Sequence, residues 1–206
     1  MRGISMRLTL CLFALAASAA AAPLTVVTVG SPAINCKFDT DCKITVNDTS
    51  ANFTLPGTSG SAFLQSRTFP PGQAGTIGAG KTAYLYRLDL RNLVGLTVAP
   101  CVNQLKVTFG PVAGLDYNGN GQPDQVFVVT SGGLGSVGPS SVDKTGNVIT
   151  FNFATPVCSG SSPGNGDSSY FFGLASTQAP VAITATIGYA PAAGTLNLSA
   201  RAAKVP

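Results

Sequence analysis

The segment DYNGNGQPD, residues 116–124, carries oxygen side chains at its first, third, fifth and ninth positions, Asp116, Asn118, Asn120 and Asp124, with Gly121 at the sixth. Such spacing lets alternate residues turn carboxylate or amide oxygens inward around a hard cation. Glycine permits the sharp turn, and a backbone carbonyl near Gln122 adds a ligand. Calcium is the cation that suits this all-oxygen set. The same residues are also strong turn chemistry, since Asn-Gly-Asn-Gly reverses a chain readily. Asp124 favours the cation, because a turn has no need of a carboxylate at the ninth position. In both cases the loop is structural first: a bound calcium would order the start of a core strand, and catalysis need not be involved.

The rest of the composition closes most catalytic routes. The chain has no histidine, glutamate or tryptophan, and its eight acidic residues are aspartates, scattered singly except for Asp39 and Asp41. Triads and catalytic dyads that use imidazole as base are therefore excluded, as are zinc or iron sites built on imidazole. An aspartate-dependent hydrolase would need two carboxylates about 5 to 9 Å apart in a cleft, and the pair that could supply them, Asp116 and Asp124, is the pair calcium would occupy. A carbohydrate-binding module would use exposed tyrosines such as Tyr117 or Tyr170 as platforms, although sugar platforms favour the missing tryptophan. In CKFDTDC, Asp39 and Asp41 lie beside Lys37 and Lys43, which disfavours a cation there. GQAGTIGAGK (72–81) has the wrong glycine spacing for a phosphate loop. GSSPGNGDSSY (160–170) reads as a surface loop around Asp167, and the run Tyr170, Phe171, Phe172 as core packing. Asn47, Asn52 and Asn197 head glycosylation sequons, relevant only to a eukaryotic secretory route.

The elements that must position these residues are strands. Ten short segments rich in valine, threonine and aromatics, at 24–29, 43–46, 52–55, 62–69, 82–90, 104–109, 125–130, 148–153, 168–174 and 181–187, are separated by Gly, Pro, Asn and Ser clusters. In TAYLYRLDL, alternation puts Tyr84, Tyr86, Leu88 and Leu90 on the face assigned to the core and Ala83, Leu85, Arg87 and Asp89 on the other. DKTGN (143–147) reads as a hairpin turn, with Gly146 or Asn147 at positive φ. The expected fold is an all-β antiparallel sandwich, immunoglobulin-like or jelly-roll-like, of about 8–10 strands; a β-barrel is the alternative.

Residues 1–22 have the layout of a secretory signal peptide: Arg2 and Arg7, an apolar stretch at 8–17, then small residues. Its removal takes Cys11 away and leaves ten basic residues against eight aspartates, dispersed, so nucleic acid is not an expected partner. No transmembrane segment is expected in the mature chain. Cys36, Cys42, Cys101 and Cys158 remain, an even number in an exported chain, which predicts two disulfides. Three pairings are open. The five residues between Cys36 and Cys42 favour that bridge, leaving Cys101 with Cys158. A single domain is expected over 23–188, followed by a flexible alanine-rich tail at 189–206.

Two resemblances add to this. The loop 116–124 resembles the DxDxDGxxD calcium loops of dockerins, thrombospondin type 3 repeats and integrin-type propeller blades. That resemblance implies Asp116, Asn118, Asn120 and Asp124 as side-chain ligands and Gln122 as a backbone ligand. Asparagine replaces aspartate at the third and fifth positions, and Phe127 stands where an EF-hand has its bidentate glutamate. Two formal charges suit affinities on the order of 0.1 to 1 mM. The segments SAFLQSRTFPPGQ, LDYNGNGQPDQVFVVTSGG and GNGDSSYFFGLAS resemble uncharacterised exported bacterial β-sandwich proteins, found alone or attached to surface-anchored chains, and GTLNLSARA resembles the opening strand of modules that follow such sandwiches. The function expected is that of a secreted or cell-surface, non-enzymatic module with a structural calcium, whose partners would be polysaccharide or other surface proteins.

Overall fold

The computed structural model describes residues 20–206; the apolar stretch of the expected signal peptide and Cys11 lie outside the described residues. The elements follow in the order β1 (Ala22–Pro23), β2 (Val26–Gly30), α1 (Ala33–Cys36), β3 (Asn47–Phe53), β4 (Thr58–Gly60), β5 (Ala62–Thr68), β6 (Thr82–Asp89), β7 (Leu93–Gly95), β8 (Cys101–Thr108), β9 (Val126–Ser131), β10 (Ser141–Thr145), β11 (Val148–Cys158), β12 (Phe171–Ser176), β13 (Pro180–Ala190) and β14 (Gly194–Ala203). One sheet has the order β1-β10-β11-β8-β13-β14 and the other β2-β9-β12-β6-β5-β3, with β4 and β7 forming a small ribbon. The sheets stack as a sandwich and close no barrel among the described residues. Pairing is antiparallel except for β2, which joins β9 in parallel at the edge of the second sheet. None of the described helices is long and apolar enough to cross a membrane.

Between the sheets, Tyr84, Tyr86, Leu88 and Leu90 meet Leu105, Val107, Ile149 and Phe151 of the first sheet. Rings interlock there, with Phe151 and Phe172 at 4.8 Å and Tyr84 edge-on to Phe109 at 5.2 Å. Tyr84 and Tyr86 donate their hydroxyls to the carbonyls of Gln178 and Arg201, which offsets the cost of burying them. The other face of β6 is not a solvent face. Ala83 and Leu85 belong to a second cluster with Ile34, Phe38, Tyr117, Phe127 and Phe171, because β6 is central in its sheet and excursions of the chain cover the outer side. Arg87 and Asp89 are consequently buried as well.

Both disulfides, Cys36–Cys42 and Cys101–Cys158, are formed. Cys101 and Cys158 are direct cross-strand partners at the ends of β8 and β11, so the bridge staples a pair already in register. The β10–β11 hairpin turns at Gly146, whose φ of +58 is the left-handed value the turn needs.

Among the described residues the strands number fourteen, more than the 8–10 expected, and two expectations about particular segments fail. Residues 43–46 form no strand; Ile44 and Val46 instead pack on the outer cluster as an extended cover. Residues 189–206 are not a flexible tail, and the domain does not end at 188: β13 continues to Ala190, and β14 pairs with it through ten residues. Alternation puts Leu198, Ala200 and Ala202 into the main core. Alanine is what β14 can accommodate where it closes toward the second sheet, since Ser66 Oγ accepts from the Arg201 amide at 2.9 Å across the sandwich. Low hydrophobic bulk made this strand look like a tail.

Candidate metal centre

The connection from β8 to β9 carries the loop 116–124. Its base is pinched by an antiparallel bridge in which the Leu115 and Asp124 amides each donate to the other's carbonyl at 2.8 Å. Leu115 and Tyr117 drop from the loop into the outer cluster, where the Tyr117 ring lies 4.9 Å from Phe127 of β9. This anchoring fixes both ends of the loop against a central strand.

Within the loop, Asp116 acts as an internal cap. Its Oδ1 accepts from the amides of Gly119 at 2.7 Å and Asn120 at 2.9 Å, and its Oδ2 from Gly121 at 3.0 Å. Asn118 Oδ1 accepts from the Asn120 amide at 3.0 Å, and Asn120 Oδ1 from the Gln122 amide at 2.8 Å. Gly119 and Gly121 take φ values of +82 and +83, so a residue with a side chain would be strained at either position. Asp116 Oδ1 has both lone pairs taken, whereas Asp116 Oδ2, Asn118 Oδ1 and Asn120 Oδ1 accept one bond each and keep a lone pair for a cation.

Asp124 is different in kind. It is 2% exposed, and its Oδ2 has no hydrogen-bond partner. Burial pushes the Tyr117 phenol above its ordinary value, the backbone of Ala175 opposes this in part, and the negative charge of Asp124 adds a smaller upward push. An unpartnered carboxylate oxygen in a dry site is costly unless a cation or a bound water meets it. The oxygen set of the loop, two carboxylates with two amides and a backbone carbonyl near Gln122, is the hard-donor chemistry that calcium takes. Among the described residues no three His, Cys, Asp or Glu side chains come together as a metal group, so the amides have to complete any shell in this loop.

Apart from the exposed Asp41, the other carboxylates are already engaged. Asp39 is buried and accepts from the amides of Asp41 and Lys43 and from Gln73 Nε2, locking the Cys36–Cys42 turn. Asp41 is exposed beside it, and the two do not form a cation cradle. Asp48 binds Arg67, Asp143 accepts from Asn152, and Asp167 accepts from the Cys158 amide. The glycine-rich segment 72–81 closes on itself through the Gly72 and Gly80 amides and sets Gly78 against Phe38. Tyr117 is 2% exposed and cannot serve as a stacking platform, which removes half of the ring pair expected of a sugar binder; Tyr170 is half-buried against the main core.

Sequence reasoning missed a buried ionic network. Arg87 Nη1 donates to Asp89 Oδ2 at 2.8 Å and to Ser168 Oγ at 2.9 Å, and Arg91 Nη2 closes on the same Asp89 oxygen at 2.6 Å. Burial alone would raise the Asp89 carboxyl, but the hydrogen bonds from Arg91 and the charges of both arginines outweigh it and hold the group below its ordinary value. Alternation had placed Arg87 and Asp89 together, and only the outer cover decides that they are dry.

No protein-family model, curated protein or solved structure matches this chain.

Proposed function

We propose that this protein is an exported, non-enzymatic β-sandwich module with a binding or structural role at the cell surface, and that its 116–124 loop holds a structural calcium. The observation that carries the calcium is Asp124: a carboxylate 2% exposed, with one oxygen unpartnered, at the ninth position of an oxygen-bearing loop. A bound calcium would neutralise that charge and tie the loop to β9 at its start. Non-enzymatic character is supported by the absence of histidine and glutamate and by the commitment of Asp39, Asp48, Asp89, Asp143 and Asp167 to structural hydrogen bonds. The two disulfides suit an oxidising, extracytoplasmic location.

Thermal unfolding of the oxidised protein in EDTA and across a calcium titration tests the calcium. A ligand that binds only the folded state stabilises it by RT ln(1 + [L]/Kd), about 1.4 to 2.7 kcal/mol when calcium is 10 to 100 times Kd. The melting temperature should rise accordingly in the parent and stay fixed in Asp124→Asn. Superimposable parent curves with and without about 10 mM calcium would reduce the loop to a turn.

A further inference from the structure

The outer face of the second sheet is only partly roofed. Beside α1 and the Cys36–Cys42 turn it leaves a half-open cavity of about 330 Å³, within the range of small-molecule sites. Leu85, Val129 and Phe171 come from three adjacent strands, and Ile34, Ile44 and Val46 come from the cover. Among the described residues, Arg67 of β5 is the one charged residue lining it.

Arg67 lies over the Phe171 ring, its guanidinium carbon 4.4 Å from the centroid. Its Nε and Nη2 are spent on Asp48, while Nη1 makes no hydrogen bond among the described residues. The guanidinium is thus oriented by an aromatic floor and a carboxylate clamp, with one end left over. Arg87 and Arg91 are paired with Asp89 and do not line the cavity, so Arg67 is the cation available to a ligand there. An apolar chamber with one oriented cation suits a ligand with an apolar body and a single anionic head.

We propose that this cavity binds a small amphipathic carboxylate, whose hydrocarbon part lies on Leu85, Val129 and Phe171 and whose carboxylate meets the free edge of Arg67. It is separate from the 116–124 loop and does not depend on calcium. Asp48 sets the affinity by competing for the same guanidinium, and Leu134, 52% exposed, forms part of the rim.

Octanoate and its neutral counterpart octanamide are the probes, titrated into the full oxidised chain by calorimetry and by chemical-shift changes at cavity residues. Octanoate should bind about 10-fold more tightly than octanamide, a difference of about 1.4 kcal/mol. Arg67→Gln should abolish that preference while leaving octanamide unchanged. Asp48→Asn, which frees the guanidinium, should tighten octanoate several-fold, and Leu134→Glu, an exposed substitution with little effect on folding, should weaken it. If Arg67→Gln unfolds, the opposite responses of Asp48→Asn and Leu134→Glu still decide. Equal affinity for the acid and the amide, no binding of octanoate up to about 10 mM, or an octanoate affinity indifferent to the Asp48 and Leu134 variants would overturn the assignment.

Discussion

Asp124 and Asp89 are both buried carboxylates in the second sheet or at its start, and their surroundings predict opposite behaviour. Asp124 lacks a partner for one oxygen, so its charge is a cost that calcium would offset. In EDTA, Asp124→Asn should therefore be at least as stable as the parent, and in calcium less stable; urea unfolding under both conditions reads the crossing directly. Asp89 is fully partnered by Arg87 and Arg91. Asp89→Ala should cost about 3 to 5 kcal/mol at neutral pH, because it leaves Arg87 as an uncompensated buried charge. Removing Arg91, whose side chain is 49% exposed, should cost about 1 kcal/mol or less. The Asp89 carboxyl lies below its ordinary value in the folded state, so its contribution is complete above the unfolded pKa of about 3.9 and is lost as pH falls from there through the lower folded value. The stability gap between parent and Asp89→Ala should be constant from pH 7 to about pH 5 and should narrow below about pH 4. A gap that instead widened on acidification would contradict the pairing.

Among the elements, β6 and β14 show where alternation is a sufficient guide and where it is not. Period two correctly sorted the side chains of β6 into two faces, yet both faces are buried, because strands lie on either side of it and α1, residues 44–46 and the Leu115–Tyr117 segment cover the outer side. In β14 the same period was present in TLNLSARA, but the inward residues are largely alanine, too small to signal a core by hydropathy. Their size fits the narrow gap where β14 folds toward β3 and β5. Ala202 is fully buried there. Ala202→Leu should consequently destabilise by about 1 to 3 kcal/mol through overpacking, whereas the exposed neighbour Thr195→Leu should be close to neutral, as chemical denaturation would show. Equal, negligible effects at both positions would restore a loose tail.

For the molecule as a whole, the long bridge and the shared strands matter more than any one contact. Cys101–Cys158 encloses the calcium-loop candidate, β9 and β10 within a sequence separation of 57 residues. Closing a loop of that length restricts the unfolded chain, worth about 4 kcal/mol in the chain-entropy account. The double variant Cys101→Ala/Cys158→Ala should lose stability of that order, while Cys36→Ala/Cys42→Ala, with a separation of only 6, should lose less. Comparing the two under identical urea unfolding checks the ranking; a larger loss for the short bridge would mean that the Asp39-centred turn contributes more than loop closure does.

Several properties follow from local chemistry and so could be read along the chain. They include strands from alternation, the hairpin turn from Gly146, the close Cys36–Cys42 pair from its spacing, and the oxygen pattern of the 116–124 loop from position alone. What depended on distant segments meeting could not be read. The burial of Tyr117, the unpartnered oxygen of Asp124, the dry Arg87–Asp89 pair and the cavity beside Arg67 exist because the cover of the second sheet comes from residues far away in sequence. Period two tells which side chains share a face, and only packing of the other chain segments settles whether that face meets water.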